Sequence, residues 1–411
     1  MAAYPNKDAC ARWGWRLSLP LVSPWQQCVA FILMAVYIWV LPVAHTIAVR
    51  HTAFFLLVLL TAWLGWRGAL KLRLPLLLPW LIYAGVALWS LTYAIDPGYS
   101  QGEIKGEIGY GLLALLLAAS WVRDVTALAN VARVLIAGAA VIIASALVNG
   151  FVLKPFWRQE MLEVASLYSG VGAFSTYLIM VLPFIIAYRL LLPPEAVLRR
   201  WLLLALVCGG VLALYLTGNR AGLLALALEG VVALGFGCFH SGRRVSRKTV
   251  VTAVLSTLIL AAGIVSLFNL RPVAADPRGE IWRIALHDIQ EQPLGGGGFG
   301  SHAFKLRNPE YVLEHPLHGH AHNMVLNKGV QMGVPGMLAF SALWLALLCR
   351  LWPRRQTAAR REEWVYAVAA TAMAVGMVLK NMSDDFFTND TALLFWLLCG
   401  AVLGARAEKP Q

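Results

Sequence analysis

The chemistry-bearing residues of this chain are a few cations, acids and imidazoles set between long apolar runs. Arg220 stands in Leu216-Thr217-Gly218-Asn219-Arg220-Ala221-Gly222, a short break between two such runs. A tight turn there puts Arg220 at the N-terminus of a helix. Its guanidinium then adds to free backbone N–H groups and the positive end of the helix dipole. Together these bind anions, and the planar fork of arginine suits two-point contact with a phosphate. Arg278, in Asp276-Pro277-Arg278-Gly279-Glu280-Ile281-Trp282, repeats the pattern at the start of a short amphipathic stretch. The plainer alternatives are an arginine that snorkels to lipid headgroups or pairs with an acid such as Asp385, and a solvated loop arginine.

Four histidines, His315, His318, His320 and His322, crowd one short segment, and Asn323 follows them. Histidine is a common metal ligand, but the alternation His318-x-His320-x-His322 does not by itself build a tetrahedral site, and no cysteine lies nearby. No metal and no cofactor are therefore expected. A single imidazole acting as general base is the stronger reading, because imidazole exchanges protons near neutral pH. His322 directly precedes an apolar run, where a helix cap can hold it; His320 is its nearest rival. The run Pro293-Leu294-Gly295-Gly296-Gly297-Gly298-Phe299-Gly300 permits tight turns and close backbone approach, Gly298 among them. Weaker candidates are Glu103, Lys105 and Glu107; the pair Asp384 and Asp385; and Glu229 and Lys328, two charges inside apolar runs.

These groups need a scaffold, and composition names its solvent. The 411 residues are 59% hydrophobic and 13% charged, about half the charge of a soluble domain. Apolar runs fall at about 27–44, 53–67, 75–94, 108–122, 128–153, 171–193, 200–217, 220–239, 249–268, 325–349, 364–382 and 391–405. A spanning helix needs about 20 apolar residues. Long continuous runs exclude an outer-membrane barrel, whose strands alternate residue by residue. The expectation is an all-α integral membrane protein, one polytopic domain over residues 1–411 with about twelve spans. The second and fourth runs are short and should extend into their flanks.

The net charge of +13 invites a nucleic-acid reading until the charges are placed. With the N-terminus inside, most of the Lys and Arg fall on the cytoplasmic side, as the positive-inside rule requires. The basic character then reports topology: both termini cytoplasmic, and no nucleic-acid partner. None of the six cysteines falls outside, so no disulfide is expected. The first apolar run is as long as a span, and no cleaved leader is expected ahead of it. One outside segment is long, residues 269–323 between the ninth and tenth runs, and a loop of that length is usually functional. Gly279 to Gln290 within it reads as an amphipathic helix with Ile281, Trp282, Ala285, Leu286 and Ile289 on one face. A helix of this kind lies at the membrane interface.

At this point the residues resemble a family. His322-Asn323, nine residues, then Gly333-Val334-Pro335 resembles the His-[Asn/Ser/Gln]-x9-Gly-x-x signature of bacterial O-antigen ligases. Arg278, Trp282, Pro293 and the glycine run that begins at Gly295 resemble the loop of the wider ligase and polymerase superfamily. Asn219-Arg220-Ala221 resembles its Ser-Arg-Gly/Ala turn, with Asn in place of Ser. The resemblance implies a GT-C-like glycosyltransferase architecture in the bacterial inner membrane, with its active site facing the periplasm. It implies an undecaprenyl-pyrophosphate-linked O-antigen as donor, lipid A–core oligosaccharide as acceptor, and metal-independent, inverting transfer in lipopolysaccharide biosynthesis. It carries the donor pyrophosphate onto Arg220 and Arg278 and the catalytic base onto His322. Asn219, Asn323, His320, Gly298 and Asp385 stand as supporting residues. An O-antigen polymerase and a protein O-oligosaccharyltransferase, using the same donor, are the alternatives. The latter often carry further C-terminal domains, and the His322-Asn323-x9-Gly spacing favours the ligase. A transporter is the alternative of another class; its internal repeats and midplane helix breaks are not evident here.

Overall fold

The computed structural model describes residues 19, 21–158, 163–168, 170–241, 277–316, 318–353, 361–387 and 389–406. The expected ninth span, 249–268, and the first part of the long loop lie outside the described residues. Among the described residues all regular structure is helical. The elements are α1 (Pro24–Val40), α2 (Ile47–Trp66), α3 (Leu77–Thr92), α4 (Pro97–Trp121), α5 (Val125–Leu153), α6 (Val171–Leu191), α7 (Val197–Leu216) and α8 (Arg220–Ser241). Then follow α9 (Arg278–Glu291), α10 (Ala303–Arg307), α11 (Pro309–Glu314), α12 (Met324–Leu351), α13 (Arg361–Asn381) and α14 (Asn389–Arg406). Among the described residues, eight helices are long and apolar enough to cross a membrane: α2, α4 to α8, α12 and α13. Two shorter apolar helices, α1 and α3, join them. As expected, the second and fourth runs extend N-terminally, to Ile47 and Pro97. The chain is an all-α integral membrane protein.

Small residues set the core. Ala367, Ala369, Ala370, Ala372, Ala374 and Gly376 are packed along α13, which lies between α6 and α8. In lipid, helices associate through close van der Waals packing, and side chains of this size let backbones approach. The last helix, α14, is buried over most of its length and packs chiefly on α4.

The long loop is not a lone interfacial helix. Ile281, Ala285 and Ile289 of α9 dock on α12 and, with Phe304, Val312, Ala321 and Val330, form a second small core. Asp288, on the same side, is buried against Arg307 (Nε at 3.4 Å) and accepts a 2.7 Å hydrogen bond from Asn308 Nδ2. Leu286, expected on the apolar face, stays 47% exposed. The apolar stripe is narrower than the sequence reading because protein, not lipid, receives it.

A break inside α12 anchors the glycine run. Gly333 sits at φ 65°, ψ −162°, a conformation closed to residues with a Cβ. Pro335 has no N–H to give, so carbonyls just before the break lose their helical donors. Gly297 N–H and Gly298 N–H donate to Val330 O and Gln331 O at 2.9 and 3.1 Å, and Val334 N–H donates to Pro293 O at 2.8 Å. The close approach expected of the glycine run is therefore made to the broken helix.

Candidate functional site

His322 sits immediately before α12. Its φ of 48° lies in the left-handed region, which costs a residue with a Cβ about 1–2 kcal/mol. Asn323 compensates as the cap of α12. Its Oδ1 accepts the N–H groups of Val325 and Leu326, both at 3.0 Å, and its Nδ2 donates to Met382 O at 2.9 Å. One side chain thus starts the helix and ties it to the segment that follows α13.

That segment brings the partner of His322. Nδ1 of His322 lies 3.2 Å from Asp384 Oδ1, while Nε2 is buried and has no hydrogen-bond partner among the described residues. A carboxylate accepts the Nδ1 proton and leaves Nε2 with its lone pair, the form a general base requires. The His320 ring lies 4.0 Å from that of His322, and its Nδ1 accepts the His322 backbone N–H at 3.2 Å. Burial, and then the His322 charge, push the His320 pKa below its ordinary value, which keeps that acceptor unprotonated. His320 thus supports the backbone of His322.

The surroundings of Asp384 are strongly cationic. Burial by itself would raise its pKa, but the hydrogen bond with His322 and the charges of Lys380, His322 and Arg278 outweigh that, and the pKa is lowered. Lys380, at the end of α13, is fully buried with no hydrogen-bond partner for Nζ among the described residues; it lies 4.7 Å from the Phe386 ring centre. Arg278 opens α9, as the sequence predicts, and its charge reaches both Lys380 and Asp384. Arg220 opens α8 after the three-residue turn Thr217-Gly218-Asn219, with Gly218 at φ 67°. Asn219 Oδ1 accepts Gly222 N–H at 2.8 Å, so the amide caps the helix where the resembled family has a serine. α8 packs along α13, the helix that carries Lys380.

Of the supporting residues, Asp385 accepts from Asn327 Nδ2, and the aspartate that faces His322 is Asp384. Neighbouring acids in an irregular segment point to different sides, and nothing in their spacing says which one turns inward. Gly298, at φ 95°, is wedged against Ala94 and Ser100, so its part is in packing the loop. Lys328 pairs with Glu107 at 2.7 Å, and Glu229 lies against Gly376 with both carboxylate oxygens unpartnered among the described residues. As for metals, ligand-type atoms of His320, His322 and Asp384 lie within 4.8 Å of one another. These three could hold an ion, and chelation tests the point.

His322 and Asp384 thus form a buried imidazole–carboxylate pair at the ends of α12 and α13, within reach of the charges of Lys380 and Arg278. Residues 202–341 match the O-antigen ligase family model, Wzy_C, which bears out the resemblance read from the motifs. The matched stretch contains Arg220, Arg278, His322 and Gly333 and ends before Lys380 and Asp384. No curated protein matches the chain.

Proposed function

We propose that the protein is an inverting, metal-independent glycosyltransferase acting on the periplasmic face of the bacterial inner membrane. It moves a glycan from undecaprenyl pyrophosphate to lipid A–core oligosaccharide. The observation that carries this reading is His322, with Nδ1 held by Asp384 and Nε2 buried and without a partner among the described residues.

The reaction follows from these groups. A hydroxyl of the acceptor sugar gives its proton to His322 Nε2 as its oxygen attacks the donor's anomeric carbon. The bond from that carbon to the pyrophosphate oxygen breaks on the opposite face, which inverts the centre. Arg220 and Arg278, each at a helix N-terminus, receive the charge growing on the leaving pyrophosphate. Asp384 stabilises the imidazolium formed in the same step. Lys380 and Arg278 in turn keep Asp384 ionised in its buried position.

The test is transfer by purified protein in EDTA, with undecaprenyl-pyrophosphate glycan and lipid A–core. Product that is lost in His322→Ala and Arg220→Ala supports the proposal. Extension of the donor chain in place of transfer to lipid A–core makes the protein a polymerase. Loss of all activity on adding EDTA makes the His320, His322 and Asp384 cluster a metal site. No glycosyl transfer under any of these conditions overturns the reading and revives transport.

A further inference from the structure

The step above uses Lys380 only through its charge on Asp384. The side chain is fully buried, and among the described residues its Nζ has no hydrogen-bond partner. An ammonium has three N–H donors, and burying it without acceptors is costly. The charges of Asp384 and Asp385 both reach it. Neither carboxylate bonds it: Asp384 Oδ1 holds His322, and Asp385 accepts from Asn327. Nor does Glu229. That acid lies against Gly376, one turn back along α13, and both its carboxylate oxygens also lack a partner among the described residues. A charge kept inside a membrane protein without a protein acceptor points to function.

The end of α13 is built to hold that ammonium in place. Asn381, also fully buried, gives Nδ2 to Met377 O at 2.8 Å and accepts the Phe386 N–H at 2.9 Å, so the chain folds back over the last turn. This seats the Phe386 ring with its centre 4.7 Å from Lys380 Nζ. The same ring packs on Gly172 in the first turn of α6, where a Cβ would overlap it. Ser175, whose Oγ donates to Gly172 O at 2.8 Å, faces Gly222 in the first turn of α8; a Cβ there would lie 3.5 Å from its own. Contacts thus run from Lys380 through Phe386 and α6 to the start of α8, which Arg220 opens. The charge of Arg278, which opens α9, reaches Lys380 as well.

These surroundings select an anion rich in oxygen. The helix starts of α6, α8 and α9 add the positive ends of their dipoles to the ammonium and the guanidinium groups. The two nearest aspartates are spent on His322 and Asn327, so an incoming acceptor does not have to break a hydrogen-bonded ion pair. Lysine meets phosphate as a point charge, which complements the two-point fork of arginine. The Phe386 ring is a weak substitute for such an acceptor. It is only partly buried, and the lysine stem has four rotatable carbons, so Nζ exchanges the ring for a phosphate oxygen without unfolding the turn.

We infer that Lys380 Nζ is a direct ligand of the donor's pyrophosphate, alongside Arg220 and Arg278, and that it leaves the Phe386 ring for a phosphate oxygen when the donor binds; the inference rests on the glycan-transfer reading above. Lys380→Met keeps the length of the side chain and removes its charge. The probe is undecaprenyl pyrophosphate without glycan, titrated into wild type and variant in detergent. Donor KM, acceptor KM, the pH–rate profile and the melting temperature are measured in parallel. Lys380→Met should bind the probe at least about tenfold more weakly, raise the donor KM and leave the acceptor KM unchanged. Its ligand-free melting temperature should equal or exceed that of wild type, because Nζ has no protein hydrogen bond to lose. If Lys380→Met does not purify as a monodisperse species, Lys380→Gln decides by the same measurements. Unchanged probe affinity with a shifted pH–rate profile would restrict Lys380 to its action through Asp384 and overturn the inference. So would a rise in the acceptor KM alone, weaker binding together with a lower melting temperature, or displacement of the probe by excess phosphatidylglycerol, which would make this a lipid-headgroup site. Probe affinity that is lost in the variant, in a wild type that forms no glycan product, would sink the transfer reading and leave the pyrophosphate contact standing.

Discussion

Replacing Asp384 with Asn tests the core of the proposed chemistry. Asparagine keeps the shape of the side chain and removes its charge. As His322 takes the acceptor proton it becomes a cation facing a carboxylate across a 3.2 Å hydrogen bond. With charge centres ~4 Å apart, that pair is worth about 4 kcal/mol at the effective dielectric of a partly buried site. About 1.4 kcal/mol corresponds to a tenfold change in rate, so Asp384→Asn should lower kcat on the order of 10³-fold. The amide can also donate to Nδ1, which selects the tautomer whose Nε2 bears the proton and cannot act as base. The assay is the initial rate of glycan transfer at saturating donor and acceptor. Donor KM and the melting temperature in detergent are measured alongside, to separate chemistry from folding. A kcat within threefold of wild type, in a folded variant, would refute the imidazole–carboxylate pair as the catalytic unit.

Further outcomes follow from the same geometry. Arg220→Lys should lose most transfer activity, about 10-fold or more, because a point charge cannot reproduce the two-point fork; near-normal rates would remove Arg220 from the pyrophosphate site. Asn323→Ala removes two cap hydrogen bonds and the tether to Met382. It should cost about 1–2 kcal/mol, read as a lower melting temperature in detergent, with an unchanged melt refuting the cap. His320 has a folded pKa lowered from 6.5, chiefly by burial and next by His322, so the folded loop binds its proton less well than the unfolded chain does. Its stabilising contribution is present above that value and is lost as pH falls through the folded pKa. Melting temperature should drop as the solution is acidified, and His320→Asn should flatten that dependence; an equal slope in the variant would assign the titration elsewhere.

Much of this was legible in one dimension because the bilayer imposes it. A helix is the segment that satisfies its own backbone in lipid, so apolar run length located the helices, from Val171–Leu191 to Asn389–Arg406. Breaks in those runs located helix starts. Arg220, Arg278 and His322 were found because an unusual residue at the start of a helix is a local event, visible in the neighbouring few residues. Residues that act at a distance had no such signature. Asp384 lies 62 positions from His322, and the order Asp384-Asp385 does not tell which carboxylate turns toward the imidazole. Glu107 meets Lys328 across 221 positions. The glycine run read as a flexible approach to a ligand, whereas it satisfies carbonyls orphaned by the break at Gly333. The expected interfacial helix had its partner, α12, more than thirty residues further along the chain. Sequence by itself determined the solvent, the helices and the residues stationed at their ends. Only the tertiary structure decided which of those ends meet, because packing in a bundle is set by side-chain complementarity between segments that the order of the chain does not relate.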